Sequence, residues 1–340
     1  MRDLVVAGGG PVGLATSLYA ARAGLDVVVR EPRAGPIDKA CGEGLMPGAV
    51  ADLMALGVRL DGSPITGIRY VDGAHVAEAA FRDGPGRGVR RTTLHAALLD
   101  AVEASGVPIE QRAVRAVEDR GDHLLVDGER ARHLIAADGL HSPVRRLVGL
   151  DGKPAALRRY GLRCHVRIEP WSSFVEVHWA SSGEAYVTPV APDVVGVAVL
   201  GDQRRTFEEL LTDLPLLADR LHGVARSRVR GAGPLRQRSR RRVTGRVLLV
   251  GDAAGYVDAL TGEGIALGLG QARAAVDAVR VGAPEHYARA WRRLGWRHDL
   301  MTHGLLAATS HPAVRRRIVR AAAGLPWVFG AAVNELARAS

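Results

Sequence analysis

The sequence predicts an α/β fold: a doubly wound, Rossmann-like lobe built on a parallel sheet, an inserted antiparallel β-sheet lobe, and C-terminal helices. Residues 3–31 have the pattern of strand, helix and strand, which opens a parallel sheet covered by helices. The apolar run RVLLVGD, after residue 240, continues that sheet. Residues 158–200 form short segments of alternating polar and apolar side chains, as antiparallel strands do.

These patterns divide the chain into two lobes. We expect the first lobe to comprise residues 1–157, with a small excursion of strands near 62–82, and to resume at 239–340 with the C-terminal helices. Residues 158–238 would form the inserted β-sheet lobe that binds substrate. A chain of 340 residues with 47% hydrophobic content is long enough to bury both cores.

Composition excludes several classes of protein. The formal net charge is +10, but aromatic residues make up only 4% of the chain and no recognition motif occurs, so we expect no nucleic-acid partner. No apolar run approaches the roughly 18 residues needed to cross a bilayer. Two cysteines are too few for a disulfide framework. We therefore expect a cytoplasmic protein, either a monomer or a homodimer.

The first glycine-rich segment lies directly between the first strand and the first helix. In VVAGGGPVGLA, Gly8, Gly10 and Gly13 have the GxGxxG spacing, which lets the backbone approach a diphosphate at the start of a helix. Glu31 closes the second strand at the distance where an acidic residue binds ribose hydroxyls. Together these features predict a dinucleotide site, without distinguishing NAD from FAD.

A second glycine turn, GDAAGYVDALTGEG at 251–264, follows the strand VLLV. Asp252 is placed to accept hydrogen bonds from the ribityl hydroxyls of a flavin. Gly262 and Gly264 would open a helix that runs to about Arg280, and its free N–H groups would stabilise negative charge on a reduced flavin. Two glycine turns therefore predict FAD, with each turn holding one end of it.

The chain at this point resembles the flavoprotein superfamily of class A flavin monooxygenases, FAD-dependent halogenases and geranylgeranyl reductases. The resemblance rests on GGGPVG, on AADGLHSPVRR at 136–146, on the second glycine turn and, more weakly, on RRTTLHAAL. It implies a glutathione-reductase-like lobe, non-covalent FAD and NAD(P)H as a transient electron donor. The residues expected to contact FAD are Gly8, Gly10, Val12, Gly13, Glu31, Pro32, Arg33, Cys41, Gly42, Arg91, Val114, Asp138, Gly139, Gly251, Asp252, Gly262, Glu263, Gly264 and Ile265.

Two departures from the family pattern affect the choice of reaction. Hydroxylases usually carry histidine where Gly255 stands and proline where Ala259 stands.

The loop KACGEGLMP contains a CG pair that resembles the loop of geranylgeranyl reductases, in which a cysteine lies near the flavin. Cys41 could be a proton donor, a redox thiol or a packing residue. Glu43 could be a general acid or base, or could complete a glycine turn.

The inserted sheet supplies the remaining catalytic candidates. Arg163, His165 and Arg167 alternate along one segment, as do Glu176 with His178 and Tyr186 with Thr188. If these segments pair, one face would present His165, His178 and Tyr186 above the flavin, where a histidine could activate a phenol. The alternative is a solvated face carrying cross-strand ion pairs. No spacing indicates a metal site, and we expect none.

The C-terminal segment HPAVRRRIVRAAAGLPWVFGAAV combines arginines with Val314, Ile318, Trp327 and Phe329. It could rest on the anionic inner face of a membrane and deliver a lipid-like substrate. Packing as a terminal helix on its own lobe is the alternative.

The resemblance implies a monooxygenase that uses NAD(P)H and O2 to hydroxylate or epoxidise an aromatic, phenolic or polyketide-like molecule through a flavin C4a-hydroperoxide. The alternative is an FAD reductase that resembles geranylgeranyl reductases and reduces double bonds of an isoprenoid or other lipid. The CG pair and Gly255 favour this alternative. A third hypothesis is a flavin electron-transfer protein.

Overall fold

The structure, a computed structural model, describes residues 1–154, 158–180, 182–201, 205–259, 262–309, 312–315 and 317–338. The strands are β1 (Arg2–Ala7), β2 (Val27–Arg30), β3 (Gly44–Leu45), β4 (Ser63–Ile65), β5 (Gly67–Val71), β6 (Val76–Ala80), β7 (Gly86–Gly88), β8 (Ile109–Glu110), β9 (Val117–Asp119), β10 (Leu124–Val126), β11 (Glu129–Ala136), β12 (Tyr160–Val166), β13 (Phe174–Trp179), β14 (Gly183–Ala191), β15 (Val194–Gly201), β16 (Arg230–Ala232), β17 (Val243–Thr244) and β18 (Val247–Leu249). The helices are α1 (Pro11–Arg22), α2 (Pro47–Ala55), α3 (Arg91–Ala104), α4 (Pro143–Leu147), α5 (Phe207–Leu211), α6 (Pro215–Leu221), α7 (Gly264–Arg280), α8 (His286–Thr309), α9 (Pro312–Arg315), α10 (Ile318–Gly324) and α11 (Pro326–Leu336).

The first lobe is built on a sheet whose strands follow the order β17-β18-β11-β1-β2-β8. Strands β18, β11, β1, β2 and β8 are parallel, so their carboxyl ends meet at one edge. The strands β9 and β10 continue from β11 as an antiparallel meander. The doubly wound lobe predicted from the sequence is therefore confirmed.

Helices α1, α3 and α7 pack together on one face of this sheet. The apolar side chains of β1 and β2 alternate between the two faces, so Leu4 and Val6 enter this helical layer while Val5 enters the core on the other face. Several helices, α1 among them, begin with a proline in the first turn, where the missing N–H costs nothing.

The second sheet has the order β16-β12-β15-β14-β13-β5-β6. Its strands are antiparallel except for β13 and β5, which are parallel and pair Phe174–His178 with Gly67–Val71. Of the strands in the excursion predicted near 62–82, β5 and β6 therefore extend the inserted sheet, whereas β4 pairs with β7 in a small third sheet of order β3-β7-β4. Helices α5 and α6 cover the outer face of that sheet, and Phe207 anchors them there.

The C-terminal helices close the molecule on the side of β5 and β6. Val319 of α10 and Phe329 and Val333 of α11 are buried against Ile68, Val177 and other apolar residues of the second sheet. Of the helices in the described ranges, none has both the length and the hydropathy to span a bilayer.

Candidate functional site

A cavity of about 840 Å³ lies between the carboxyl ends of the parallel strands and the inner face of the second sheet. Predicted cofactor residues from all three sequence motifs line it, which brings together segments that are far apart in sequence. The lining residues from the predicted set are Gly8, Gly10, Val12, Glu31, Pro32, Arg33, Cys41, Gly42, Arg91, Val114, Asp138, Gly139, Gly251, Asp252, Gly262, Gly264 and Ile265. Gly13 and Glu263 do not line the cavity.

The glycine finger, residues 7–13, joins β1 to α1 and requires glycine at two positions for different reasons. Gly8 has φ +103°, and a Cβ there would lie 2.6 Å from the carbonyl oxygen of Ala137. A Cβ on Gly13 would lie 1.8 Å from the carbonyl oxygen of Gly8. Gly13 therefore allows the start of α1 to pack closely against the turn. It contributes to the shape of the glycine finger without lining the cavity.

Glu31 lies at the end of β2, beside the finger. Its carboxylate accepts hydrogen bonds from the backbone N–H of Gly9 at 2.8 Å and from Arg33 at 2.7 Å. Burial alone would raise the pKa of Glu31, but the hydrogen bonds from Arg33 and Gly9 outweigh burial and lower it. The backbone N–H and a second guanidinium nitrogen of Arg33 also donate to this carboxylate, so each of its oxygens accepts two hydrogen bonds. A ribose hydroxyl would bind Glu31 by displacing the exposed Arg33 side chain from it.

The second glycine turn packs directly on the first. A Cβ at Gly251 would lie 3.2 Å from Val12, and one at Gly268 would lie 2.4 Å from it, so α7 approaches α1 closely at this point. Asp252 follows β18 as predicted and forms an ion pair at 3.3 Å with Lys39. The carboxylate of Glu263 is directed away from the cavity and binds His298 of α8 at 2.6 Å.

The finger has the space and the charge that a diphosphate requires. A Cβ built on Gly10 would have Nη2 of Arg91 as its nearest neighbour, at 3.9 Å. Gly10 therefore faces open space beside the guanidinium of Arg91. Nε of Arg91 is buried, and no group in the described ranges accepts a hydrogen bond from it. The residues present therefore fit the diphosphate and ribityl chain of FAD, with Arg91, Glu31 and Asp252 as the polar contacts.

Asp138 and Gly139 stand where β11 ends. Asp138 accepts a hydrogen bond from the backbone N–H of Val144 at 2.9 Å, at the start of α4. Burial raises the pKa of Asp138. Gly139 has φ +84°, which favours glycine, and the ideal Cβ position there is 3.7 Å from Lys39. Asp138 thus fixes the turn that forms this wall of the cavity.

Residues 37–45, which we term the Cys41 loop, form another wall. The loop is held at both ends: Asp38 pairs with Arg163, and Glu43 accepts hydrogen bonds from the backbone N–H of Arg91 and from Nε2 of His165, both at 2.8 Å. Cys41 lies between these anchors, half-buried on the cavity wall. Glu43 thus ties the loop to α3 through Arg91 and to β12 through His165, and we assign Glu43 to holding the loop.

The structure corrects the predicted placement of His165. Its side chain lies behind Glu43 and does not line the cavity. Arg163 can only donate, and its Nη1 lies 3.1 Å from Nδ1 of His165, so Nδ1 accepts and Nε2 carries the proton given to Glu43. With both ring nitrogens engaged, His165 is not available to take a proton from a substrate.

The predicted placement of His178 is wrong as well. In the register of the second sheet, Val177 pairs with Tyr186 on the cavity side, so Glu176 and His178 lie on the opposite face. There Glu176 binds His178 at 3.1 Å and Arg69 at 2.7 Å. This ion-pair cluster matches the alternative of cross-strand pairs, except that it is largely buried.

Tyr186 is the catalytic candidate of the second sheet that does line the cavity. Burial raises the pKa of Tyr186 well above its usual value, and the nearby Glu184 raises it further. The phenol therefore remains protonated at neutral pH.

Beyond Tyr186 the cavity continues between the second sheet and the C-terminal helices, and we call this part the apolar arm. Its wall is formed by Met46, Ile65, Ile68, Tyr70, Phe81, Val175, Val177, Leu305, Val333 and Leu336. Sequence reasoning missed the arm because these residues come from distant segments and each has the pattern of ordinary core. It also missed Tyr256, which lines the cavity within the second glycine turn.

The fold and the site together define a flavoprotein with a nucleotide-binding lobe and a separate β-sheet lobe above the cavity. A family model described as FAD binding domain matches residues 1–279. The chain belongs to this family, and the class predicted from the sequence, an FAD-dependent oxidoreductase, is confirmed.

Individual proteins resemble the chain along most of its length. Menaquinone reductase from Mycolicibacterium smegmatis is 30% identical over 335 residues, covering 87% of this chain and 80% of that protein. Digeranylgeranylglycerophospholipid reductase 2 from Methanopyrus kandleri is 28% identical over 291 residues, covering 77% and 73%. The fold is shared with p-nitrophenol 4-monooxygenase PnpA from Pseudomonas putida DLL-E4, at a TM-score of 0.79 and 19% identity, with 98% of each chain covered. The predicted resemblance to flavin monooxygenases and geranylgeranyl reductases is therefore confirmed.

Proposed function

We propose that this protein is an FAD-dependent reductase that saturates a carbon–carbon double bond in an isoprenoid lipid. The double bond takes up one hydride and one proton, and both electrons come from the reduced cofactor. The observation that carries this proposal is the apolar arm, which opens from the predicted flavin position and is walled by aliphatic and aromatic side chains.

The shape and chemistry of the arm suit a lipid chain. The side chains named as its wall include no charged group, and tyrosine supplies the polar atoms among them. Burying a hydrocarbon chain against such a wall contributes about 0.8 kcal/mol for each CH₂ group. A phenol would instead need a compact pocket with a base near the ring. The two histidines that the sequence predicted for that role, His165 and His178, lie outside the cavity wall.

The relatives support the same substrate class. Menaquinone and digeranylgeranylglycerophospholipids both carry polyisoprenoid chains, and the proteins named as reductases of these lipids match over most of the chain. Gly255 and the CG pair of the Cys41 loop, which resemble the pattern of geranylgeranyl reductases, favour the same substrate class.

When bound, FAD supplies the hydride chemistry. The residues of the chain do the rest. The glycine finger and Arg91 bind the diphosphate, and the anchored Cys41 loop forms a fixed wall beside the reacting end of the cavity. The apolar arm orients the lipid and excludes water. Cys41 and Tyr186 both bring a transferable proton to the cavity wall, and we expect one of them to protonate the carbon that does not receive hydride.

The test uses purified protein loaded with FAD and reduced by dithionite without oxygen, so that it does not depend on the choice of NADH or NADPH. Menaquinone and a geranylgeranylated glycerolipid are added, and the products are analysed by mass spectrometry. We expect a gain of two hydrogens in the lipid. If no lipid is reduced and a phenol gains an oxygen atom when NAD(P)H and air are supplied, the monooxygenase alternative replaces the proposal.

A substitution in the arm separates lipid binding from cofactor binding. Val177→Phe narrows the arm, and we expect at least about a tenfold loss of kcat/KM for a long isoprenoid chain with unchanged FAD affinity. Val76→Phe is the control, because Val76 lies on the same sheet with 54% of its surface exposed. Equal losses for short and long substrates with Val177→Phe would contradict the assignment of the arm.

A further inference from the structure

The turn between α10 and α11 exposes large apolar side chains to solvent. Leu325 is 50% exposed, Trp327 is 73% exposed and Val328 is 41% exposed. Together with Ala323, Gly324 and Pro326, these residues form an exposed segment that we call the apolar tip, residues 323–328. Single exposed apolar residues are ordinary on a protein surface, but a contiguous group that includes tryptophan marks an interaction site.

The surroundings of the apolar tip are basic. No aspartate or glutamate occurs between Asp299 and Glu335 in the sequence. Arg317, which precedes α10, and Arg320 within it are exposed, and neither lies within ion-pair distance of a carboxylate in the described part of the chain. The tip therefore combines a tryptophan and a leucine with neighbouring arginines that have no ion-pair partner among the residues the structure describes.

We propose that the apolar tip docks this protein on the surface of an anionic lipid bilayer. Tryptophan is favoured at the boundary between headgroups and acyl chains, where its ring is buried and its N–H remains hydrated. Arginine beside it is attracted to anionic headgroups. A protein partner would also cover apolar side chains, but the adjacent arginines, which form no ion pair within the described ranges, favour a surface of negative charge.

The position of the tip in the fold fits this role. The helix α11 that starts in the tip buries Phe329 against the second sheet, and its Val333 and Leu336 line the apolar arm. The same helix therefore connects the exposed tip to the wall of the cavity. Docking itself does not depend on the reaction proposed above, so the two proposals fail separately.

The docking proposal is tested by flotation of the FAD-loaded protein with vesicles of phosphatidylcholine alone or of phosphatidylcholine mixed with phosphatidylglycerol. We expect binding to the mixed vesicles that weakens as salt is raised, because salt screens the attraction to arginine. Little binding to the neutral vesicles is expected.

Paired variants separate the apolar and the electrostatic contributions. Leu325→Ser with Trp327→Ser should weaken binding by at least about tenfold, because it removes the side chains that enter the interface. Arg317→Gln with Arg320→Gln should weaken binding to anionic vesicles by roughly fivefold for each arginine. Trp296→Ser is the matched control, since Trp296 is 55% exposed on α8, outside the tip.

Fluorescence gives a readout that a merely structural role would not change. With mixed vesicles the tryptophan emission should shift to shorter wavelength, and Trp327→Phe should remove that shift while retaining most of the binding. Flotation that is the same for wild type and both paired variants overturns the proposal. A second result would also overturn it: the wild type binds no vesicles and is a dimer in analytical ultracentrifugation, whereas the tip variants are monomers. The tip would then be covered by a second copy of the chain.

Discussion

Glu43 has a backbone φ of +61°, a left-handed conformation that costs a residue with a Cβ of order 1–3 kcal/mol. Its carbonyl accepts a hydrogen bond from Val89, and its side chain binds His165 and the N–H of Arg91. These contacts fix the conformation and offset its cost. The strain is therefore located where the Cys41 loop meets the cavity, at the residue that sets the position of Cys41.

Glu176 is a buried carboxylate whose charge is stabilised by hydrogen bonds. Burial would raise its pKa, but hydrogen bonds from His178, Trp171 and Arg69 dominate and lower the pKa to about 2. Because the pKa in the folded state lies below the value of 4.5 for a free side chain, ionised Glu176 stabilises the fold above about pH 4.5. That stabilisation is lost as the pH falls towards 2.

We predict that Glu176→Gln lowers the free energy of unfolding at pH 7 by roughly 2–3 kcal/mol. The difference from wild type should narrow between pH 5 and pH 3, as measured by urea unfolding at each pH. Glu78→Gln is the control, because Glu78 also binds Arg69 but has a side chain that is 47% exposed, so it should cost less than about 1 kcal/mol. A difference that stays constant across this pH range would show that the charge of Glu176 is not responsible.

At the scale of elements, the two glycine turns were predictable because each is a local motif between a strand and a helix. The period-two strands of the second sheet were also predictable. Their order was not: β15 and β14 lie between β12 and β13. Which side chains share a face depends on this order and on the register, and a shift of one residue reverses the face. Of the side chains expected above the flavin, Tyr186 lines the cavity. His178 lies on the opposite face of the sheet and His165 lies behind Glu43, so neither histidine is where the sequence predicted it.

The glycine finger gives a prediction in which two neighbouring glycines behave differently. Gly13→Ala should cost at least about 3 kcal/mol of stability, because its Cβ would meet the backbone of Gly8. Gly10→Ala should leave the stability of the FAD-free protein almost unchanged, because Gly10 has an ordinary φ of −71° and open space around it. Its FAD dissociation constant should nevertheless rise by at least about tenfold. Thermal unfolding and flavin titration measure the two effects, and normal FAD affinity in Gly10→Ala would exclude the finger as the diphosphate site.

At the scale of the whole molecule, the two lobes are interleaved along the sequence. The β5–β6 hairpin lies in sequence between helices of the first lobe, yet it forms one edge of the second sheet through its parallel pairing with β13. The apolar arm is walled by this hairpin, by β13 and by the C-terminal helices. Such contacts between distant segments cannot be derived from local patterns, which explains why the arm escaped prediction.

We expect these contacts between distant segments to make the two lobes unfold cooperatively. In thermal unfolding, release of FAD and loss of the second sheet should coincide, as followed by flavin fluorescence and circular dichroism. Val187→Ala, which opens a cavity on the outer face of the second sheet, should lower the midpoint temperatures of both transitions equally. If Val187→Ala moves the circular-dichroism transition alone, the lobes unfold independently.

The pairing of Phe174–His178 with Gly67–Val71 also limits how such an enzyme can be recombined with its relatives. A chimera that exchanges residues 158–238 alone would place a foreign β13 against the resident β5 and leave that seam mismatched. We expect a productive swap of specificity to carry residues 63–81 along with the insert, because the second sheet is built from two separate blocks of sequence.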